Sequence, residues 1–141
     1  MAGTIDMQLM RYINLFARTT NVQTTKVFVY NNQIIFAVPK SKVSEAIGKG
    51  AVNVKRMNEI LRKKIRVVAM PAVDDNEGIA KFIEDVVAPI EFNGVELNGD
   101  GVVVNGGRQS KAALIGRGRQ RETELGGVLK NFFGITKLRI A

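Results

Sequence analysis

Two short glycine loops, each with one cation at its centre, are the residues of this chain best suited to chemistry. Gly48-Lys49-Gly50 returns 68 positions later as Gly116-Arg117-Gly118. Glycine turns sharply and lets a ligand reach the backbone without meeting a Cβ. Each loop is predicted to lead into a helix N-terminus, where unpaired N–H groups and the helix dipole favour anionic oxygen. Lys49 and Arg117 add a mobile positive charge to that cradle. The combination suits a phosphodiester backbone. A lone Gly-x-Gly often does no more than terminate a helix, so the weight rests on the duplication.

Other chemistries fare poorly. The chain has no histidine and no cysteine, which removes the commonest general base, the thiol nucleophile and the usual zinc ligands. Asp74, Asp75 and Glu77 cluster, but helix capping accounts for them better than acid–base or metal chemistry. Neither loop continues as a Walker A motif, and no Gly-x-Gly-x-x-Gly follows a predicted strand. The expectation is a protein that is not an enzyme, with no cofactor, no metal and no small-molecule substrate.

The elements that must position the loops repeat with them. Ile34, Ile35 and Phe36 fall opposite Val102, Val103 and Val104, and Met57, Ile60 and Leu61 fall opposite Leu125, Val128 and Leu129. A constant offset across strand, helix, loop and helix argues for one structural unit used twice. In the first unit, Thr4 or Asp6 can cap a helix carrying Leu9, Tyr12, Ile13 and Phe16 at helical spacing. Alternation then predicts strands over Val22–Tyr30 and Ile34–Val38 joined at Asn31-Asn32, where asparagine tolerates positive φ. Pro39 and Ser41 open a short helix through Ile47. A second helix runs from about Ala51 to Leu61, and Ile65–Met70 is the third strand.

Pro71 marks the boundary, giving units of 1–71 and 72–141 joined by a linker short enough to limit their relative orientations. Asp74 with Glu77 is expected to cap the next helix, whose stripe is Ile79, Phe82, Ile83, Val86 and Val87 and which ends at Pro89. Strands follow at Ile90–Leu97 and Val102–Asn105 around the turn Asn98-Gly99-Asp100-Gly101. Ser110–Ile115 and Gln120–Phe132 are the helix pair, and Ile135–Ile140 closes the unit after a longer helix-to-strand connection. Each unit should be an α+β fold in which a mixed three-stranded sheet carries its helices on one face.

Composition points to a polyanionic partner. The net charge is +8 over 141 residues. Residues 1–70 hold 12 basic against 3 acidic side chains, and residues 71–141 hold 9 against 10, so the first unit has the stronger field. Arg62-Lys63-Lys64 is either an extension of a phosphate-binding surface or a solvated turn. No apolar run approaches the roughly 20 residues that span a bilayer. The opening Met1–Asp6 lacks a basic region followed by an apolar stretch, so no signal peptide is expected. A cytoplasmic location is the expectation, and the absence of cysteine fits it.

Ile-Gly-x-Gly between two helices, inside a helix-strand-strand-helix-helix-strand unit, resembles the type II KH domain, whose GXXG loop clamps a short run of single-stranded nucleotides. Two such units in tandem, with Ala46-Ile47-Gly48-Lys49-Gly50-Ala51-Val52-Asn53-Val54-Lys55-Arg56-Met57 in the first, resemble the paired KH domains of the NusA family, in particular its archaeal members. The resemblance implies single-stranded RNA binding in transcription elongation, termination or antitermination. It places RNA on Gly48, Lys49, Gly50, Ala51 and Lys55, and on Gly116, Arg117, Gly118, Arg119 and Arg121. RNA polymerase is the candidate protein partner. The alternative is a protein-interaction or ribosome-associated KH module that docks on RNA polymerase or rRNA. Bacterial members carry further domains, which are expected to be missing from these two repeats.

The fourth loop position departs from the family pattern, being Ala51 in one copy and Arg119 in the other. Alanine is a mild change if that position has right-handed helical geometry, whereas arginine adds bulk where a backbone would approach. Val43, Ile47, Val52 and Ile34–Phe36 are candidates for an apolar groove that seats bases, with plain core as the competing role. Tyr12, Tyr30 and the phenylalanines have the spacing of core residues rather than stacking platforms.

Overall fold

The computed structural model describes residues 7–141. The expected cap at Thr4 or Asp6 lies outside the described residues. Helix α1 spans Met7–Thr20 and buries Tyr12 and Phe16. It stops at Asn21, which takes φ 60° while its N–H bonds the Ala17 carbonyl at 2.9 Å. The buried Thr20 hydroxyl donates to the Phe16 carbonyl at 2.7 Å and accepts from the Val22 N–H at 3.0 Å.

That turn delays the first strand. β1 is Lys26–Tyr30 rather than beginning at Val22. The Thr24 hydroxyl donates to the Ala37 carbonyl at 2.6 Å and accepts from the Lys26 N–H, so a side chain occupies a ladder position that backbone would otherwise fill. β2 is Gln33–Val38, joined to β1 through Asn31 and Asn32 at φ 50° and 60°, as the hairpin chemistry requires. After Pro39 a 3-10 turn at Lys40–Lys42 precedes α2, Val43–Ile47, so the expected single helix is split. α3 is Val52–Leu61 and β3 is Lys64–Ala69.

β1 pairs antiparallel with β2, and β2 pairs parallel with β3, with Ile34 opposite Ile65 and Phe36 opposite Val67. A parallel pair needs a crossover, which α2, the glycine loop and α3 supply. One core joins Tyr12 and Phe16 of α1, Ile34, Phe36 and Val38 of β2, Ala46, Met57 and Ile65. Phe16 stacks on Phe36 with ring centroids 4.2 Å apart. Complete burial of these side chains is worth about 2 kcal/mol each.

The chain divides after Met70, one residue before the expected boundary. In the second unit α4 is Asn76–Val87, and its cap is Asp75 rather than Asp74: the Asp75 carboxylate accepts from the Gly78 N–H at 2.9 Å. Lys81 lies 3.3 Å from both Glu84 and Asp85, and the hydrogen bonds to those carboxylates, Asp85 first, hold its pKa above the usual lysine value. β4 is Gly94–Asn98, four residues later than expected, because the Ile90 N–H turns back to the Val87 carbonyl and the chain reaches the ladder only when Asn93 bonds the Asn105 carbonyl at 2.7 Å.

β5 is Gly101–Asn105 and β6 is Lys137–Ile140; the order β4-β5-β6, antiparallel then parallel, repeats that of the first sheet. α5 starts at Gly107, three residues earlier than expected, with the Asn105 side chain accepting from the Gly107 N–H. α6 runs Gln120–Phe133, 14 residues against the 10 of α3. The repeat therefore slips register mainly through an added helical turn, not through a longer connection. Phe133 on that added turn meets Phe82 of α4 edge to face at 5.2 Å.

Candidate nucleic-acid interface

The two glycine loops have nearly the same backbone. Gly48 sits at φ 82°, ψ 163° and Gly116 at φ 78°, ψ 170°. Gly50 and Gly118 follow at φ 64° and 62°. The fourth position is left-handed in both copies, with Ala51 at φ 60°, ψ 29° and Arg119 at φ 61°, ψ 23°. That corrects the premise that alanine is mild there: both residues occupy a region that costs a side chain about 1 kcal/mol relative to glycine.

Within the first loop the Ala51 N–H bonds the Gly48 carbonyl at 3.0 Å, and in the second the Arg119 N–H bonds the Gly116 carbonyl at 3.2 Å. The glycines are required for two different reasons. A Cβ on Gly48 would lie 2.9 Å from Val52 and Asn53 side-chain atoms, whereas one on Gly50 would meet nothing within 4 Å. The first glycine closes the loop against its helix. The second leaves the outer side open to a ligand.

The structure carries Lys49, Gly50 and Lys55 exposed, with Gly48 and Ala51 half-buried. In the second unit Arg117, Gly118 and Arg119 are exposed, and Gly116 and Arg121 are half-buried. Among the described residues no carboxylate pairs with Lys49, Lys55, Arg117 or Arg119. Each loop thus brings unneutralised cations to the positive end of a helix. The two ends differ in one carboxylate: the first turn of α3 has no acidic residue, while that of α6 holds Glu122.

Sequence reasoning missed Asn53. Its amide donates to the Glu45 and Ala46 carbonyls at 3.3 and 3.2 Å, tying the start of α3 to the end of α2. Arg121 stands 68 positions later and does the same: its Nη1 donates to the Ala113 carbonyl at 3.1 Å. The signal lay in the repeat alignment, which pairs Asn53 with Arg121 and Glu45 with Ala113.

Other candidates separate from the loops. Ile34, Ile35 and Phe36 are fully buried, as are Tyr12 and Tyr30 within a few per cent, so these are core and present no face to a base. Val43 and Ile47 are half-buried, and Val52, 51% exposed, is the apolar side chain open to solvent beside the first loop. Arg62-Lys63-Lys64 lies at the opposite end of α3, about 15 Å from its glycine loop by helix length, and Lys63 bonds the Asn32 side chain. The balance of the second unit hides a partition: residues 71–100 carry 8 acidic side chains and one basic, residues 101–141 carry 8 basic and 2 acidic. The loop lies in the basic part.

A mixed three-stranded sheet with its parallel crossover built from helix, glycine loop and helix defines a class. A family model described as "KH domain" matches residues 10–76, and the first unit is a KH domain. Among curated relatives, the "Probable transcription termination protein NusA" of Methanococcus vannielii is 31% identical over 83 residues, which are 59% of this chain and 45% of that protein. The protein so named in Methanocaldococcus jannaschii is 29% identical over 133 residues, 91% of this chain and 69% of that protein. The chain thus spans about half to two thirds of these relatives' length. The crystal structure of APE1850 is similar over 97% of this chain and all of its own, with a TM-score of 0.65 and 30% identity. The chain thus carries a KH-domain match over its first unit and is similar to archaeal proteins named NusA.

Proposed function

We propose that the chain binds single-stranded RNA through two KH domains and acts in transcription elongation, termination or antitermination, by binding rather than by catalysis. The observation that carries this reading is the repeated loop geometry, in which exposed cations with no carboxylate partner among the described residues sit on matching glycine cradles at helix N-termini. The second unit is assigned as a KH domain because its element order, strand order and loop backbone repeat those of the first. The names of the archaeal relatives support the transcription role.

The test is titration of one unstructured RNA with the full chain and with Lys49→Asp, Arg117→Asp and the double variant. Each substitution puts a negative charge where phosphate oxygen would sit, so each weakens binding while leaving circular dichroism unchanged. Lys49→Asp should have the larger effect, because Glu122 already opposes an anion at the second helix. Single strands should bind more tightly than duplex, since KH recognition needs unstacked bases. Undiminished binding by the folded double variant would overturn the loop assignment.

One observation favours a second reading. The acidic part of the second unit, residues 71–100, carries 8 acidic side chains against one basic, a charge balance that disfavours a polyanion. That part suits a protein contact, for which RNA polymerase is the candidate. Retained association with polymerase in the double loop variant would support it.

A further inference from the structure

The residue two places after the fourth loop position is Asn53 in one copy and Arg121 in the other, and both reach back to the carbonyls that end the preceding helix. Those carbonyls are among the four that a helix leaves unsatisfied at its C-terminus, where the dipole is negative. Bonding them fixes the distance between the two helices, and with it the shape of the glycine loop strung between them. The glycines register this contact. A Cβ on Gly48 would strike the Asn53 amide at 2.9 Å, and one on Gly116 would strike the Arg121 Cγ at 2.8 Å. The first glycine of each loop is therefore packed against the clamp.

The two clamps differ in what they leave over. Asn53 spends its amide hydrogens on two carbonyls. A guanidinium carries five N–H donors, and among the described residues Arg121 makes one hydrogen bond, through Nη1. It is half-buried, and its stem lies along Gly116 at the base of the loop. Resting on the RNA-binding reading above, we propose that Asn53 and Arg121 are the positioning residues of the two loops, and that Arg121 in addition contacts a backbone phosphate with the donors its clamp leaves free. The second loop thereby recovers charge that Glu122 takes from its helix N-terminus.

The test exchanges the clamps in the full chain. Arg121→Asn installs the first loop's clamp in the second, Asn53→Arg makes the reverse change, and Arg121→Ala removes the clamp. Two readouts are taken: amide hydrogen exchange at Gly116–Arg119 without RNA, and affinity for an unstructured single-stranded RNA of about twelve nucleotides across a salt series. Arg121→Asn should keep the parental loop exchange but bind RNA about two- to fivefold more weakly, with a log–log salt slope shallower by about 0.7, the value for one phosphate on a single strand. Asn53→Arg should steepen the slope by a similar amount. Arg121→Ala should show the same change in slope together with faster exchange across the loop.

An unchanged salt slope in Arg121→Asn overturns the phosphate contact. Unchanged exchange in folded Arg121→Ala overturns the clamp. Should Arg121→Ala lose its fold, accelerated loop exchange in Arg121→Asn, meaning that the two clamps are not equivalent, overturns it instead. If the parent chain itself does not bind the RNA, the underlying reading fails along with the phosphate contact, and the exchange data still decide the clamp.

Discussion

Each loop sets a left-handed non-glycine residue, Ala51 or Arg119, directly before its helix. Replacing Ala51 with glycine should therefore stabilise the protein by about 0.5–1 kcal/mol, read as a higher urea midpoint at unchanged slope. A lower midpoint would mean that the left-handed backbone assignment is wrong. Arg119→Gly should stabilise similarly while weakening RNA binding, because it removes an exposed cation. That separation tests whether Arg119 is retained for charge. The sequence showed the cradle at this scale, since Gly48, Lys49 and Gly50 recur as Gly116, Arg117 and Gly118. It did not show the handedness of Ala51, because alanine is a strong helix former whose local preference is right-handed. Nor did it show Asn53 as a clamp, because the bonds span seven and eight residues across a loop whose shape they help to create.

The elements were legible where a side-chain period governs them and shifted where a side chain replaces backbone. The stripe of α1, the Asn31-Asn32 hairpin and the α3 core position Met57 follow directly from pattern. The start of β1 moved because Thr24 fills a ladder position, and that of β4 because the chain turns at Val87–Ile90. Neither event has a periodic signature. α6 was legible to within one residue, expected over Gln120–Phe132 and found over Gln120–Phe133, and Phe132 and Phe133 at its end extend toward Phe82. The cap of α4 is a single interaction with a clear consequence. Asp75→Ala removes the acceptor for the Gly78 N–H and should cost about 1 kcal/mol. Asp74→Ala, one residue outside the cap, should cost much less. Equal losses in thermal melts of the two variants would contradict the assignment of the cap to Asp75.

Across the whole molecule, charge and the absence of particular side chains set how binding should respond to solution conditions. No helix among the described residues is long and apolar enough to cross a membrane, and the surplus of +8 has cations on the two glycine loops and in the first turns of α3. If the two loops and their neighbouring cations neutralise roughly three to six phosphates, log affinity should fall with log salt at a slope between about −2 and −4, becoming shallower in the Lys49→Asp, Arg117→Asp variant. If each loop grips about four nucleotides, affinity should rise with RNA length up to roughly eight or more. The chain has neither histidine nor cysteine, the side chains whose ordinary titration falls between about pH 6 and 9. Lys81 fits the same expectation: Asp85 and Glu84 raise it above its usual value, so the stability the ion pair adds is present at neutral pH, where the carboxylates are ionised and the lysine is protonated, and on the basic side is lost only as pH rises through that raised value. RNA affinity at fixed salt should accordingly be flat from about pH 6 to 9, measured by titration in buffers of matched ionic strength. A step in affinity within that window would require a titrating contact that the loops do not contain, and would move the binding surface away from the glycine cradles.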